Sequence, residues 1–487
     1  MEMVGRLWHR SIKKLKSLCG INTTLPKVST TTSKRTTATT RSEPVHKASP
    51  SPPSTAEVGY TYINNATDTT LINLRPHQAA ALAKLEGVSR GTILVPTGGG
   101  KTIIGIMDAV RRYNNSQEPI NIVVVAPRIM LALQLCEEYM ELIKQDVAQQ
   151  VIPCHVHSGE TAHYSSTKVD EIKCFDGMMK TAGLHAIYFT TYHSLPRLAE
   201  AGISVDTMVC DEAHNSIQKG FFPAVKYFSQ TATRSFFYTA TPKHSATHKK
   251  VGMNDTSVYG NVIVNVPAPK LVKGGFIVPP QVVCRELPMV KKGESSSQRD
   301  ADHVVQSILE NKAEKVLVCA KAVKQIVKMV DDSNFVESLA ARGYSYMYIA
   351  ASTGAVIDGI KVSREEFFQT LNAWGKDNDK KFVVLHHSIL SEGINVSGLE
   401  AVVFMRSMDY IGISQTIGRV IRLHKDDAAG MRNGTITPGA LNSYTKSFGL
   451  VIVPVFSKAQ EGCAKSIQNV VDIVFNRGEA AVSTIKR

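Results

Sequence analysis

Short apolar runs alternate with longer stretches of helical period twice along this chain. That alternation limits the fold more than any other feature. Residues 92–95, 120–126, 186–190, 205–210 and 235–238 are nearly continuously apolar. Strands buried on both faces read this way, whereas strands with one wet face alternate. Helix-period stretches such as 103–113 and 130–143 separate them. The pattern then restarts with apolar runs at 282–285, 316–320, 344–349, 382–386, 402–405 and 449–455. Between these lie helical stretches at 300–311, 324–341, 365–374, 411–422 and 459–475. Such alternation predicts doubly wound α/β units with parallel sheets. The joint at 267–280 is rich in proline and glycine, the residues that punctuate regular structure. The expected order is a tail at 1–56, an α/β domain over 57–268, a linker at 269–280 and a second α/β domain over 281–487.

Composition agrees with a large folded core. Of 487 residues, 43% are hydrophobic and 20% charged, and no run of 18 apolar residues suggests a membrane span. The net charge of +14 favours a polyanionic partner. Residues 1–56 hold ten Lys/Arg against Glu2 and Glu43, a surplus of eight, so the rest of the chain carries only six. Residues 22–56, mostly Thr, Ser, Pro, Lys and Arg, read as a disordered linker. Val4, Leu7, Trp8, Ser11, Ile12, Leu15 and Leu18 before it recur at helical spacing among basic residues. This start reads either as an organelle-targeting segment or as a solvated basic tail with affinity for nucleic acid. The eight cysteines form no CxxC pair and fit no metal pattern, which predicts buried or half-buried free thiols.

Two segments carry phosphate chemistry. Pro96-Thr97-Gly98-Gly99-Gly100-Lys101-Thr102 follows a strand and opens a helix, the context a phosphate loop needs. Glycines let backbone N–H groups approach phosphate oxygens, and the helix N-terminus adds positive potential. Lys101 would reach the β- and γ-phosphates, and the Thr102 hydroxyl would ligate Mg²⁺. The strict pattern has glycine at position 95, where this chain has valine. Val209-Cys210-Asp211-Glu212-Ala213-His214 ends a second apolar strand with two acids. Asp211 would hold Mg²⁺, and Glu212 would take a proton from the attacking water.

Together with further motifs, these segments resemble a superfamily 2 helicase of the DExH type, from Leu74 to about Leu423. The resemblance implies two tandem RecA-like domains with ATP in the cleft between them. Leu74-Arg75-Pro76-His77-Gln78 is similar to the adenine-reading element, placing Arg75 and Gln78 with Thr97, Gly98, Gly99 and Gly100 at the nucleotide. Ala126-Pro127-Arg128 and Thr190-Thr191-Tyr192 resemble backbone-gripping motifs, with Arg128 and Thr191 on nucleic acid. Thr239-Ala240-Thr241-Pro242 resembles the element coupling hydrolysis to strand contacts, through Thr239 and Thr241. Ser391-Glu392-Gly393-Ile394-Asn395 looks like the motif that faces both ligands, through Gly393 and Asn395; relatives commonly carry Asp where Asn395 stands. Gln415-Thr416-Ile417-Gly418-Arg419-Val420-Ile421-Arg422 is similar to the arginine-finger motif. A helix beginning near Tyr410 would set Gln415, Arg419 and Arg422 along one face. Arginine suits that role because its charged planar fork binds phosphate bidentately. The resemblance also sets His214 between the domains, facing Gln415.

The implied activity is ATP- and Mg²⁺-dependent movement along nucleic acid. The motif flavour leans to DNA, being closer to restriction-type motors and repair helicases than to the RNA-unwinding DEAD-box group. An RNA-dependent ATPase and an ATP-gated clamp without turnover are the other readings. The expected setting is intracellular, and the lean form resembles both organellar and virus-encoded helicases. His155, His157, His163, His185 and His193 read as surface or loop residues, and Phe236-Phe237-Tyr238 as core strand.

Overall fold

The computed structural model describes residues 73–247, 250–286, 295–350, 353–387, 398–406, 408–455, 458–478 and 483–485. The tail at 1–56 and the motif holding Gly393 and Asn395 lie outside the described residues. Residues 71–487 form one compact unit built on two large sheets.

The first sheet contains β1 (Arg90–Leu94), β2 (Asn121–Ala126), β3 (Val151–Val156), β4 (Tyr164–Ser165), β5 (His185–Thr191), β6 (Thr207–Cys210) and β7 (Arg234–Thr239). A short β8 (Lys243–Ser245) stands outside it, and β9 (Asn261–Asn265) closes its far edge. The order is β4-β3-β5-β2-β6-β7-β1-β9, with every pairing parallel. Every residue of β2, β5 and β6 is buried, as their continuous apolar runs require. Phe236, Phe237 and Tyr238 are core, at 2% exposure or less.

The order decides which loops meet. β6, β7 and β1 are neighbours, so Asp211-Glu212, Thr239–Thr241 and the glycine loop leave adjacent carboxyl ends, where open α/β sheets bind ligands. β2 and β5 are also neighbours, with Ala126 opposite Thr191. Arg128 and Thr191 therefore share a second stretch of the same rim.

The helix Lys101–Asn114 behind the glycine loop is fixed by two forked ion pairs. Arg234 meets Asp108 at 2.7 and 3.0 Å, and Arg112 meets Asp206 at 2.6 and 2.8 Å. Burial raises the Asp108 carboxyl, and Arg234 opposes it. Removing one partner of a buried pair such as Arg234–Asp108 costs about 3–5 kcal/mol; the Arg112–Asp206 pair is half-exposed and holds the same helix more weakly.

The second sheet takes β10 (Pro280–Glu286), β11 (Lys315–Cys319), β12 (Tyr344–Ala350), β13 (Gly354–Ile357), β14 (Ile360–Val362), β15 (Lys381–His386), β16 (Ala401–Phe404) and β17 (Gly449–Val455). Its order is β10-β17-β16-β11-β15-β12-β13-β14. Only the β12-β13-β14 edge is antiparallel. These are two RecA-like α/β layers, as the resemblance implied. A last strand, β18 (Ser483–Ile485), pairs in parallel with β8 of the first lobe.

Several expectations change. The helix expected at 324–341 is two, Val323–Asp331 and Phe335–Ala340. The break falls at Asp332-Ser333-Asn334, polar residues that compete for backbone hydrogen bonds. The helix expected at 411–422 runs Tyr410–Val420, started by the Asp409 carboxylate accepting from Gly412 N at 2.8 Å. Arg422 therefore lies beyond its end, not on its face. β3 carries Pro153, which masks it in sequence; the proline sits where β4 does not extend, so its missing N–H breaks no β4 pairing. The joint at 267–280 contains a helix, Ala268–Lys273.

Candidate functional site

The glycine loop is held from behind. Gly98 and Gly100 have φ of 82° and 81°, conformations that glycine adopts without strain. Arg75 Nη1 donates to Gly98 O at 3.2 Å, His77 Nε2 pairs with Gly99 O at 2.7 Å, and Gln78 Nε2 donates to Gly100 O at 3.3 Å. Three successive carbonyls thus face residues 75–78. In a trans peptide the N–H points opposite its carbonyl, so the amides of Gly100 and Lys101 turn away from that clamp. The Gly99 N–H closes the turn on Pro96 O at 3.0 Å. A Cβ on Gly100 would be strained by its positive φ and would push the Gln78 amide off its carbonyl. Phe276 packs on both Arg75 and His77, with the guanidinium 5.0 Å from its ring centre.

The acid pair faces this loop. Lys101, Thr102 and Asp211 line one small pocket. Lys101 Nζ lies 3.4 Å from Glu212 Oε1, and His214 Nδ1 lies 3.5 Å from Glu212 Oε2. Glu212 adopts φ of 44°, a left-handed conformation rare for a non-glycine residue and typical of strained functional positions. Burial and the charge of Glu212 raise the Asp211 carboxyl, against the opposing pull of Lys101. A bound dication would reverse that balance. Burial also pushes Glu212 upward, but Lys101, His214 and the facing Gln415 amide together hold it below the usual carboxylate range. His214 Nδ1 pairs with Thr239 Oγ1 at 3.0 Å, and Thr239 Oγ1 accepts from Thr241 N at 3.1 Å. The acid pair is thereby joined to Thr239 and Thr241.

The second lobe closes over these groups. Gly418 packs on Thr97 so closely that an added Cβ would stand 2.4 Å from Thr97 Cβ. Arg422 lies over Gly98, and its backbone bridges to Ile277. Gln415 and Arg419 are 7% and 5% exposed. Gln415 Nε2 and Glu212 Oε2 are both buried, and the Gln415 amide faces the Glu212 carboxylate from the other lobe.

A wider cleft of about 340 Å³ lies along the β2–β5 rim. Arg128, His157, Ser158, Thr191 and His193 line it from the first lobe, and Arg364 from the second. The Thr191 hydroxyl accepts from Ser194 N at 3.2 Å, which fixes the loop that carries it.

Residues 71–244 match the family model described as Type III restriction enzyme, res subunit. The match lies within the first lobe, and the fold of both lobes is that of tandem RecA-like domains. A comparison with curated proteins gives no match. Among solved structures the chain is similar to the ATP-dependent Type ISP restriction-modification enzyme LlaBIII bound to DNA. The identity is 17% and the TM-score 0.62, over 85% of this chain and 31% of that one. A nuclease-deletion mutant of the Type ISP enzyme LlaGI, in complex with a DNA substrate mimic, gives 16% and 0.57, over 84% and 30%. A variant of S. cerevisiae Dbp5 bound to RNA and ADP BeF3 gives 15% and 0.51, over 84% and 89%. The chain thus spans about a third of the length of the two restriction enzymes.

Some groups at the site carry no sequence signal. Glu138, on the helix Ile129–Asp146 of the first lobe, lends its charge to the buried Arg422. His77 and Phe276 brace the glycine loop. The histidines also differ from expectation. His155, His157 and His185 are buried at 2% exposure or less, and burial lowers His155 to about 3, helped by His157 and His163. They lie in or beside β3 and β5, strands enclosed on both faces. Cys174 and Cys284 are exposed rather than buried.

The Gly418 contact yields a direct expectation. Alanine in place of a helical glycine favours the helix itself by about 1 kcal/mol, so Gly418→Ala should fold at least as well as the parent. Its methyl must displace Thr97, an overpacking of about 1–3 kcal/mol set against lobe closure. ATP turnover should therefore fall about tenfold or more while the thermal midpoint holds or rises. Unchanged turnover would show that the closed contact is dispensable.

Proposed function

We propose that the chain is an ATP-dependent helicase or translocase acting on DNA, coupling hydrolysis in the interlobe cleft to movement along the backbone. Its domains are residues 57–268, which bind ATP, and 281–487, which complete the site, with 269–280 between them. The observation that carries the reading is the facing of 415–422 and the 98–102 turn, with Gly418 packed on Thr97, Arg422 over Gly98 and the Gln415 amide facing Glu212.

The residues fit the nucleotide and its metal. The Gly98 and Gly100 conformations, the Lys101 ammonium and the Thr102–Asp211 pair are what a triphosphate with Mg²⁺ requires. Thr102 and Asp211 would hold Mg²⁺, which neutralises charge on the phosphate oxygens. Lys101 and the loop amides hold the phosphates. Glu212, kept ionised by Lys101, orients the attacking water and accepts its proton. Arg419 and Arg422 answer the charge from the other lobe. Arg75 and Gln78 adjoin the base, and Gly393 and Asn395 complete the second lobe's share. His214, Thr239 and Thr241 relay the state of the acid pair to the rim. Binding favours closed lobes and turnover releases them; unequal grip on the strand in the two states makes the cycle directional.

Arg128 and Thr191 would grip the sugar-phosphate backbone in the 340 Å³ cleft. Backbone gripping brings weak sequence preference and steep salt dependence. DNA is favoured because the matched family model describes a restriction subunit and the Type ISP likenesses are of DNA-bound enzymes. An RNA-dependent ATPase is the second reading, favoured by the likeness to RNA-bound Dbp5. Among the described residues no helix is long and apolar enough to cross a membrane.

The test is ATP turnover with single-stranded DNA, duplex DNA or RNA at two salt concentrations. Stimulation by DNA that collapses at high salt is expected. Stimulation by RNA alone would move the reading to the second, and equal turnover with and without every nucleic acid would favour the clamp.

A further inference from the structure

Arg422 lies past the end of its helix, so something other than the helix must fix it. Two remote segments converge there, through three contacts. Ile277 forms an antiparallel bridge with Arg422, and Val278 N donates to Ile421 O at 2.8 Å. The third contact is a buried ammonium: Lys446 Nζ donates to Arg422 O at 2.8 Å and to Leu399 O at 2.7 Å. Lys446 is itself held, because the fully buried Asp427 carboxylate accepts from Thr445 N at 2.6 Å and Lys446 N at 3.1 Å. Leu399 begins the stretch that runs into β16, just beyond the 391–395 motif, so one side chain ties that stretch to the end of the arginine motif.

We propose that Lys446 is a positioning residue for Arg422, a strut that sets the second arginine against the Gly98 turn by clamping its carbonyl. This rests on the ATPase reading of the cleft. The expense of burying a lysine argues that the position serves more than packing, since an apolar side chain would fill the space without desolvating a charge. Burial lowers Lys446 to about 7; Arg422 lowers it further, and Glu400 and Asp427 oppose. Both protonation states retain two N–H donors, so the strut survives titration.

The test is a double-mutant cycle in the full chain: wild type, Lys446→Met, Arg422→Ala and the double variant, read by nucleic-acid-stimulated ATP turnover and thermal unfolding. Lys446→Met should lower kcat about tenfold or more with the KM for ATP within about twofold, the pattern of a group acting in the transition state. In the Arg422→Ala background the same change should leave kcat where it is. Its effect on the thermal midpoint should be equal in both backgrounds, because the Arg422 carbonyl is present in each. Normal kcat in Lys446→Met overturns the strut, and so do kcat losses that multiply in the double variant. If Lys446→Met does not unfold cooperatively, Lys446→Gln, whose amide stops one bond short of the two carbonyls, is read through the same cycle by the same criteria. A wild type without turnover would instead sink the ATPase reading, and a cycle read on an active wild type separates the two failures.

Discussion

Arg419→Ala should lower ATP turnover by about 10³–10⁵-fold, the range an arginine finger supplies in phosphoryl transfer. The side chain is 5% exposed and stands one turn after Gln415 on a helix started by Asp409. It lies beside His386 and Cys319, where burial keeps His386 neutral and Arg419 adds to that effect. The loss should fall on kcat, because the proposed mechanism gives the phosphates mainly to Lys101 and the glycine loop of the other lobe. Single-turnover hydrolysis with a parallel nucleotide-binding measurement decides it. Turnover within about tenfold of wild type would remove Arg419 from the reaction.

Glu212→Gln should cost about 10²–10⁴-fold in kcat, the contribution of a positioned general base. The amide keeps the shape of the carboxylate but cannot take a proton. It also frees Lys101 from the carboxylate at 3.4 Å, so ATP affinity should hold or tighten. Nucleic acid should still bind, since the Arg128–Thr191 cleft lies on a different stretch of the rim. Tight ATP binding, retained strand binding and lost turnover together form the expected signature. Near-wild-type hydrolysis would assign the base elsewhere, with Asp211 the neighbouring carboxylate to test next.

Much of this architecture could be read locally. The phosphate loop is legible because one strand, one turn and one helix start lie within a dozen consecutive residues, each with its own residue preference. The same holds for Asp211 and Glu212, which end a continuous apolar strand. β3 was hidden by Pro153, and the strand survives only because β4 is too short to need the missing N–H. The broken helix at 332–334 was hidden because its apolar spacing continues across the break. Arg422 illustrates the limit most directly. Its spacing from Gln415 and Arg419 suggests one helical face, yet the helix stops at Val420.

The sequence by itself determined the two α/β halves, the phosphate loop, the acid pair and the helix that carries Gln415 and Arg419. Each follows from periodicity or from groups that are neighbours along the chain. Only the tertiary structure decided that Lys446, Ile277 and Glu138 converge on Arg422, and that residues 75–78 clamp three glycine carbonyls. Those contacts depend on the order of strands in two sheets and on the fit of one lobe against the other, and no local preference records which distant segments that packing brings together.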